Sequence, residues 1–338
     1  MTTDFCRFAA VPRFEDLFEH MSGTWSHHFD RYEWTGAIGM ASNHIRVSDR
    51  FVHPDIEAYD PGGEPDTLKY VLAHQGLAVN GWADTVAARV FLDALNAYGL
   101  AHWTSGSSRL VPVVTPFSAQ EAAEQVRGLA GSPAVGAVAL PLSSQMLGMP
   151  GWDPLYEALV EADLPLVIHF SGVEGSYAGA PPLAGAPHTN PLSRHILMPQ
   201  LAESNIASLI FQGTFMRFPG LRVLFAGFGF RWLPSIMRRM DQEWRNFRSD
   251  MPWVRERPAT TLLRHVWVGT HPIGEVPDDE GWAGEFEKGK LDRLVFCSNA
   301  PFDTDTMEDV AAKLGPDWVD RLDGNARGLL SERAALAV

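Results

Sequence analysis

The stretch Leu164 to Gly172 reads LPLVIHFSG: a run of branched apolar residues, then a histidine, then a Ser-Gly turn. A strand buried on both faces reads as such a continuous apolar run, and both faces are buried when a parallel sheet is covered by helices. The neighbouring sequence repeats the arrangement. Apolar runs fall at Tyr70 to Val79, Leu110 to Phe117, Val135 to Leu142, Leu221 to Phe230, His265 to His271 and Leu291 to Asn299, and a short one carrying Arg7 falls at Phe5 to Ala10. Between them, Val86 to Trp103, Ala119 to Leu129, Trp152 to Ala162 and Pro234 to Phe247 place apolar residues three and four apart among good helix formers. Eight strands alternating with helices predict an α/β chain folded as one (β/α)8 TIM barrel over residues 1–338. Ser22 to Gly63, rich in His, Trp, Gly and Asp without periodicity, reads as a long irregular N-terminal insertion over one barrel face. Val173 to Pro191 is too rich in Gly and Pro to be helical.

Composition narrows the function classes. The chain has 338 residues, 46% of them hydrophobic, enough for a large core, and 27 basic against 41 acidic residues give a formal charge of −14. No Lys/Arg-rich block occurs, which argues against nucleic acid or an anionic membrane as partner. Charged residues, Gly or Pro interrupt every apolar run well short of the roughly 20 residues a membrane span needs. Two cysteines, Cys6 and Cys297, make no disulfide framework, and no signal-peptide pattern opens the chain, so a cytoplasmic protein is expected.

In a barrel the C-terminal ends of the strands face the active-site mouth, so polar residues there are the first candidates for chemistry. His169 ends the fifth run, His271 the seventh, and Asn299 the eighth, with Asp303 four residues on. His169 and His271 are candidate catalytic residues, and Asn299 and Asp303 candidate pocket residues. A structural histidine, a loop histidine stacked on Pro272 and a turn-capping amide are the respective alternatives. No Gly-x-Ser-x-Gly elbow supports a serine nucleophile, and Gly227-Phe228-Gly229 lacks the third glycine of a dinucleotide loop because position 232 is Trp. Trp25, Trp82 and Trp152 read as core, or as the apolar wall of a pocket.

Several segments carry a family resemblance. They are Trp152-Asp153-Pro154-Leu155-Tyr156-Glu157-Ala158 running into Leu164 to His169, then Phe218-Pro219-Gly220-Leu221-Arg222-Val223, Trp232-Leu233-Pro234 and Arg239-Met240-Asp241. Ser208 to Gly213, Gly269-Thr270-His271-Pro272, Ser298-Asn299-Ala300-Pro301 and Gly324-Asn325-Ala326-Arg327 add to it. Together they resemble the amidohydrolase-related family that includes aminocarboxymuconate semialdehyde decarboxylase and the hydroxybenzoate decarboxylases, from about Tyr70 to Leu330.

The resemblance implies a divalent metal held by a pair on the first strand, a His ending the fifth and an Asp ending the eighth. Here His169 matches, but Cys6 and Phe8 fall where the first-strand pair belongs, Asn299 replaces the aspartate, Phe302 stands where a histidine is usual, and Ala226 to Gly229 carries no polar ligand. His169 is thus a vestigial ligand in a set that is not intact, and a lone imidazole neither retains zinc nor activates water near neutral pH. Two readings follow. One is a non-catalytic or regulatory subunit that pairs with an active homologous barrel, or binds a small carboxylated molecule, with no cofactor. The other is an active hydrolase or non-oxidative decarboxylase for a small carboxylated aromatic or cyclic substrate. It would use Zn or Mn held by unrecognised ligands, such as His27, His28, His53, His188 or His195, or work without metal through His169 and His271. Arg7, Arg109 and Arg231 suit a carboxylate chemically, although pairing with the surplus acids competes.

Overall fold

In the computed structural model, the described residues are 2–31, 59–60, 63–171, 174, 191–276 and 293–330. Eight strands follow in chain order: β1 (Thr2–Ala9), β2 (Thr67–Ala73), β3 (Ser108–Val111), β4 (Val138–Ala139), β5 (Leu166–His169), β6 (Val223–Ala226), β7 (Val266–Gly269) and β8 (Leu294–Val295). All pairings between them are parallel. β1-β2-β3 form one sheet and β4-β5-β6-β7-β8 the other. Hydrogen bonds cross both seams between the sheets. Phe5 N and Phe8 N on β1 donate to Phe296 O and Ala300 O at 3.0 and 2.8 Å, while parallel bridges Leu110–Val135 and Val113–Ala139 join β3 to β4. The order of pairing and these seam bonds give the eight-stranded barrel that the alternation predicts.

The side-chain alternation shows which residues face inward. On β5, Leu166 and Ile168 pack with the helices around Leu155, Leu159, Leu209 and Leu233. Val167 belongs instead to the core shared with Val71, Ala139, Leu224, Val295 and Cys297. With a period of two, His169 follows Val167 to the inside. The register sets its level, because β5 pairs with β6 through Leu166–Val223 and on to His169–Ala226.

The helices Thr85–His102, Ala119–Leu129, Asp153–Ala162 and Leu233–Phe247 lie within a residue or two of the expected spans. Asp84 caps the first by accepting from Val86 N and Ala87 N, and Ser118 caps the second by accepting from Glu121 N.

Two expectations change. The strand read as Tyr70 to Val79 ends at Ala73, and His74–Leu77 turns into a short helix in which Gln75 exchanges hydrogen bonds with the backbone of Val11. The insertion is not irregular throughout, because Gly23–Arg31 is helical. Its only fully buried residue is Phe29, which packs on Phe14 while Trp25 lies one turn back, so tertiary burial overrides poor local propensity. The rest of the insertion from 32 to 58, most of Val173 to Pro191, and the start of the eighth run lie outside the described residues. Among the described residues no helix is long and apolar enough to cross a membrane. Trp82 and Trp152 are buried, and Trp82 stacks on Phe91.

Candidate active site

His169 closes β5 inside the barrel, 2% exposed. Its Nδ1 donates to Phe170 O at 2.7 Å, which leaves Nε2 as the nitrogen that takes the second proton when the ring is charged. That Nε2 is buried without a hydrogen-bond partner. The Phe8 ring meets the imidazole edge-on, with centroids 5.0 Å apart. Gly227, at φ +83°, leaves room for the ring, since a Cβ there would stand 2.5 Å from Nε2.

The thiol of Cys6 stands beside this histidine and that of Cys297 beside Cys6, and both are free and fully buried. Burial alone would push the Cys6 thiol up, but a hydrogen bond with Cys297 and the charge of His169 outweigh it and bring Cys6 down to about 6. Burial acts on His169 in the opposite sense and would lower it. The Cys6 thiolate, the Phe170 carbonyl and Glu174 overcome that and leave His169 raised. Burial and its thiolate neighbour hold Cys297 well above the ordinary thiol range.

Asp4 fixes the cysteines in place. Its Oδ1 accepts from Cys6 N at 3.1 Å and Ser298 N at 3.0 Å, and its Oδ2 accepts from Ser298 Oγ at 2.5 Å. One buried carboxylate therefore ties β1 to the end of β8.

A second constellation lies at the ends of β7 and β8. His271, 6% exposed, donates from Nδ1 to Asp305 Oδ2 at 2.8 Å, and Ile273 N donates to the same oxygen at 2.8 Å. Asp305 N in turn donates to Ser298 O, so the loop after β8 holds the carboxylate against the loop after β7. With Nδ1 committed, Nε2 is the nitrogen His271 has for a ligand. Asn299 is buried and takes φ +60°, a left-handed conformation that Asn and Asp adopt more readily than most residues.

A third group links the mouth loops. Asn80 donates to Leu142 O and lies 3.3 Å from Ser171 Oγ, while buried Glu174 accepts from Ser171 N and Oγ.

The expected residues are thus distributed rather than gathered. His169 and His271 sit two strands apart, with β6 and its glycines Gly227 and Gly229 between them. Asp303 is exposed, and the carboxylate that meets His271 is Asp305. His74 is an addition. It follows the last residue of β2 and forms an aromatic triangle with Phe8 and Phe302, with centroids 6.1 and 5.0 Å away. A histidine directly after an apolar run was its signal, hidden because the run continues to Val79 in sequence. Arg7 pairs with Glu64 and approaches Asp4, Arg109 donates to the backbone of Ser105, Gly106 and Ser108, and Arg231 is exposed. His27 is exposed and His28 lies against Trp25; His53, His188 and the His195 side chain lie outside the described residues.

Among the described residues, the donors at the mouth do not suit a hard divalent ion. His169 is paired with the Cys6 thiolate, and Asp4, Glu174 and Asp305 are engaged by amides and hydroxyls. Among the described residues, the one group of three His, Cys, Asp or Glu side chains with ligand atoms within 4.8 Å of one another is Glu19, His20 and His102, away from the mouth.

Comparison with solved structures agrees with the fold. 5-Carboxyvanillate decarboxylase from Novosphingobium aromaticivorans DSM 12444, as a mutant with manganese and 3-methoxy-4-hydroxy-5-nitrobenzoic acid bound, superposes with a TM-score of 0.61 at 16% identity over 92% of this chain and 90% of that one. 5-Carboxyvanillate decarboxylase from Sphingomonas paucimobilis gives 0.60 at 14% identity over 97% and 98%. A dihydroxybenzoic acid decarboxylase from Polaromonas sp. JS666, with manganese and 2-nitroresorcinol bound, gives 0.60 at 15% identity over 97% of each chain. No curated protein matches the sequence. Residues 52–329 match the family model described as Amidohydrolase, and the chain belongs to the amidohydrolase family.

Proposed function

We propose that the chain is a working enzyme of this family, a non-oxidative carboxy-lyase or a hydrolase for a small carboxylated aromatic or cyclic compound, with His271 as its proton-transfer group. The observation that carries this reading is the His271–Asp305 hydrogen bond at the ends of β7 and β8. A carboxylate on Nδ1 fixes the tautomer, aims Nε2 and stabilises the imidazolium, which is what a general acid–base needs. Three solved structures with this fold are decarboxylases of carboxylated phenols, which supports the substrate class. In the decarboxylation arm, protonated His271 gives its Nε2 proton to the ring carbon bearing the carboxylate. The C–C bond then breaks, its electron pair returns to the ring and carbon dioxide leaves. His169, Phe8, His74 and Phe302 provide the apolar and aromatic wall against which a planar ring would lie. No step is routed through a metal, because the described donors at the mouth do not suit the manganese that two of these structures contain.

The test is carbon dioxide release from 5-carboxyvanillate and dihydroxybenzoates, measured on protein as purified, after chelator treatment and with manganese restored. Turnover that His271→Ala abolishes supports the reading. A folded chain inert under all three conditions, but co-purifying with a homologous barrel, favours the silent-subunit reading, to which Cys6 and Phe8 at the first-strand positions lend weight.

A further inference from the structure

On the outer surface, Glu19 and His20 end a seven-residue stretch of tight helix, Phe14–His20, while His102 ends the long helix Thr85–His102. The ligand atoms of these three side chains lie within 4.8 Å of one another, although 20 and 102 are far apart in sequence. His20 Nε2 is 3.5 Å from Glu19 Oε1, and that nitrogen is buried without a hydrogen-bond partner. Tyr98 orients both rings: it lies tilted against His102 with centroids 4.2 Å apart and meets His20 edge-on at 6.1 Å.

The local field favours a cation. The Thr85–His102 helix presents its C-terminal, electronegative end here. Burial raises the Tyr98 hydroxyl, and the nearby carboxylates of Asp16 and Glu19 raise it further. Two imidazoles and one carboxylate make the three-ligand set of an open zinc site, a water taking the fourth position. Bonds of about 2.0–2.2 Å put tetrahedral donors roughly 3.3 Å apart, so a modest swing of the exposed Glu19 and His102 side chains would close the set.

We propose that Glu19, His20 and His102 form a binding site for one divalent transition ion of the zinc class, fastening Phe14–His20 to the helix Thr85–His102. The site is separate from the mouth and independent of the proposed activity. His102 closes a helix that leads toward the start of β3, whereas His169 stands at the end of β5.

The experiment is a titration of tag-free, chelator-stripped full-length protein with zinc against a chromogenic chelator, with thermal melts alongside. Wild type and His169→Ala are expected to bind one zinc per chain with equal affinity. His20→Ala and His102→Ala should each weaken binding at least tenfold, and Glu19→Gln less. Zinc should raise the melting temperature of wild type but not of His102→Ala, since an ion that binds only the folded state stabilises it. Circular dichroism of the stripped variants checks that they fold; Glu19 and His102 are exposed and His20 is half-buried. Zinc affinity unchanged in both histidine variants, absence of binding in wild type, or loss of binding in His169→Ala instead would overturn the proposal.

Discussion

His271 and Asp305 meet across the gap between the loops after β7 and β8, Nδ1 to Oδ2 at 2.8 Å, with Ile273 N sharing the carboxylate oxygen. An amide at 305 could still accept from Ile273 N, but its NH2 group would compete to donate to the imidazole. Asp305→Asn is therefore expected to leave the fold intact and lower kcat by about 10²–10⁴, with KM little changed, as losing the orienting partner of an acid–base histidine does. Steady-state kinetics on the best carboxylated phenol measures this. An equal loss in kcat/KM arising wholly from KM would assign Asp305 to substrate binding instead.

The Cys6–His169 pair makes a spectroscopic prediction. With Cys6 lowered to about 6, thiolate absorbance near 240 nm should rise as pH passes through about 6 and be absent in Cys6→Ser. For stability, a depressed thiol contributes fully above its unfolded value near 9, and the contribution is lost as pH falls from there through about 6. The raised His169 contributes below its unfolded value near 6.5 and loses this as pH rises through its folded value. Urea melts of wild type and Cys6→Ser across pH 5.5 to 9 should therefore differ in shape, because in wild type the Cys6 contribution grows and the His169 contribution fades as pH rises. Parallel curves would mean that Cys6 stays a thiol.

Gly227→Ala should be costly despite its size. The position has φ +83°, and the added methyl would stand 2.5 Å from His169 Nε2. A loss of about 1–3 kcal/mol is expected from backbone strain alone, with a further loss if the His169 ring is displaced. Denaturant unfolding reads the sum, and a neutral result would mean that the ring has space to retreat.

Asp4→Ala removes the acceptor for Cys6 N, Ser298 N and Ser298 Oγ inside the barrel. Leaving buried donors unsatisfied costs about 1–3 kcal/mol each, part of which relaxation recovers, so a net loss of roughly 2–4 kcal/mol is expected. Thermal and urea melts measure it. Asp4→Asn, which keeps one acceptor, should fall between the two.

Phe8→His with Asn299→Asp should bring imidazole and carboxylate donors to the space beside His169 Nε2. Asn299 already holds a left-handed conformation that Asp also tolerates. Elemental analysis after growth with added manganese should find more metal in the double variant than in wild type. Equal content would show that other residues decide metal retention.

The sequence made the barrel legible where burial is uniform. Leu166 to His169 and Val266 to Gly269 stand inside the runs quoted for them, because strands covered on both faces leave few places for polar residues. Legibility failed where an apolar run crosses an element boundary: Leu77 and Val79 are buried like the strand before them, so apolar character did not reveal that the chain had already turned at His74. At the site, His169, His271 and Asn299 were visible because they interrupt or end apolar runs. Asp305 was not, since nothing local separates it from the nearer but exposed Asp303; only the path of the loop chooses between them. The approach of Cys6 to Cys297 depends on β1 lying beside β8, a property of closure rather than of either segment.

The Asp4–Ser298 latch spans 294 residues of chain. During synthesis β1 precedes β8, and its hydrogen-bonding edge toward β8 has no neighbour until that strand has left the ribosome. Asp4, Cys6 and Phe8 wait with it, so the candidate active site can be assembled only after β8 has been made. A chain that lacks β8 would carry an open strand edge and an unpartnered carboxylate, and such an edge is a template for wrong pairing with another chain.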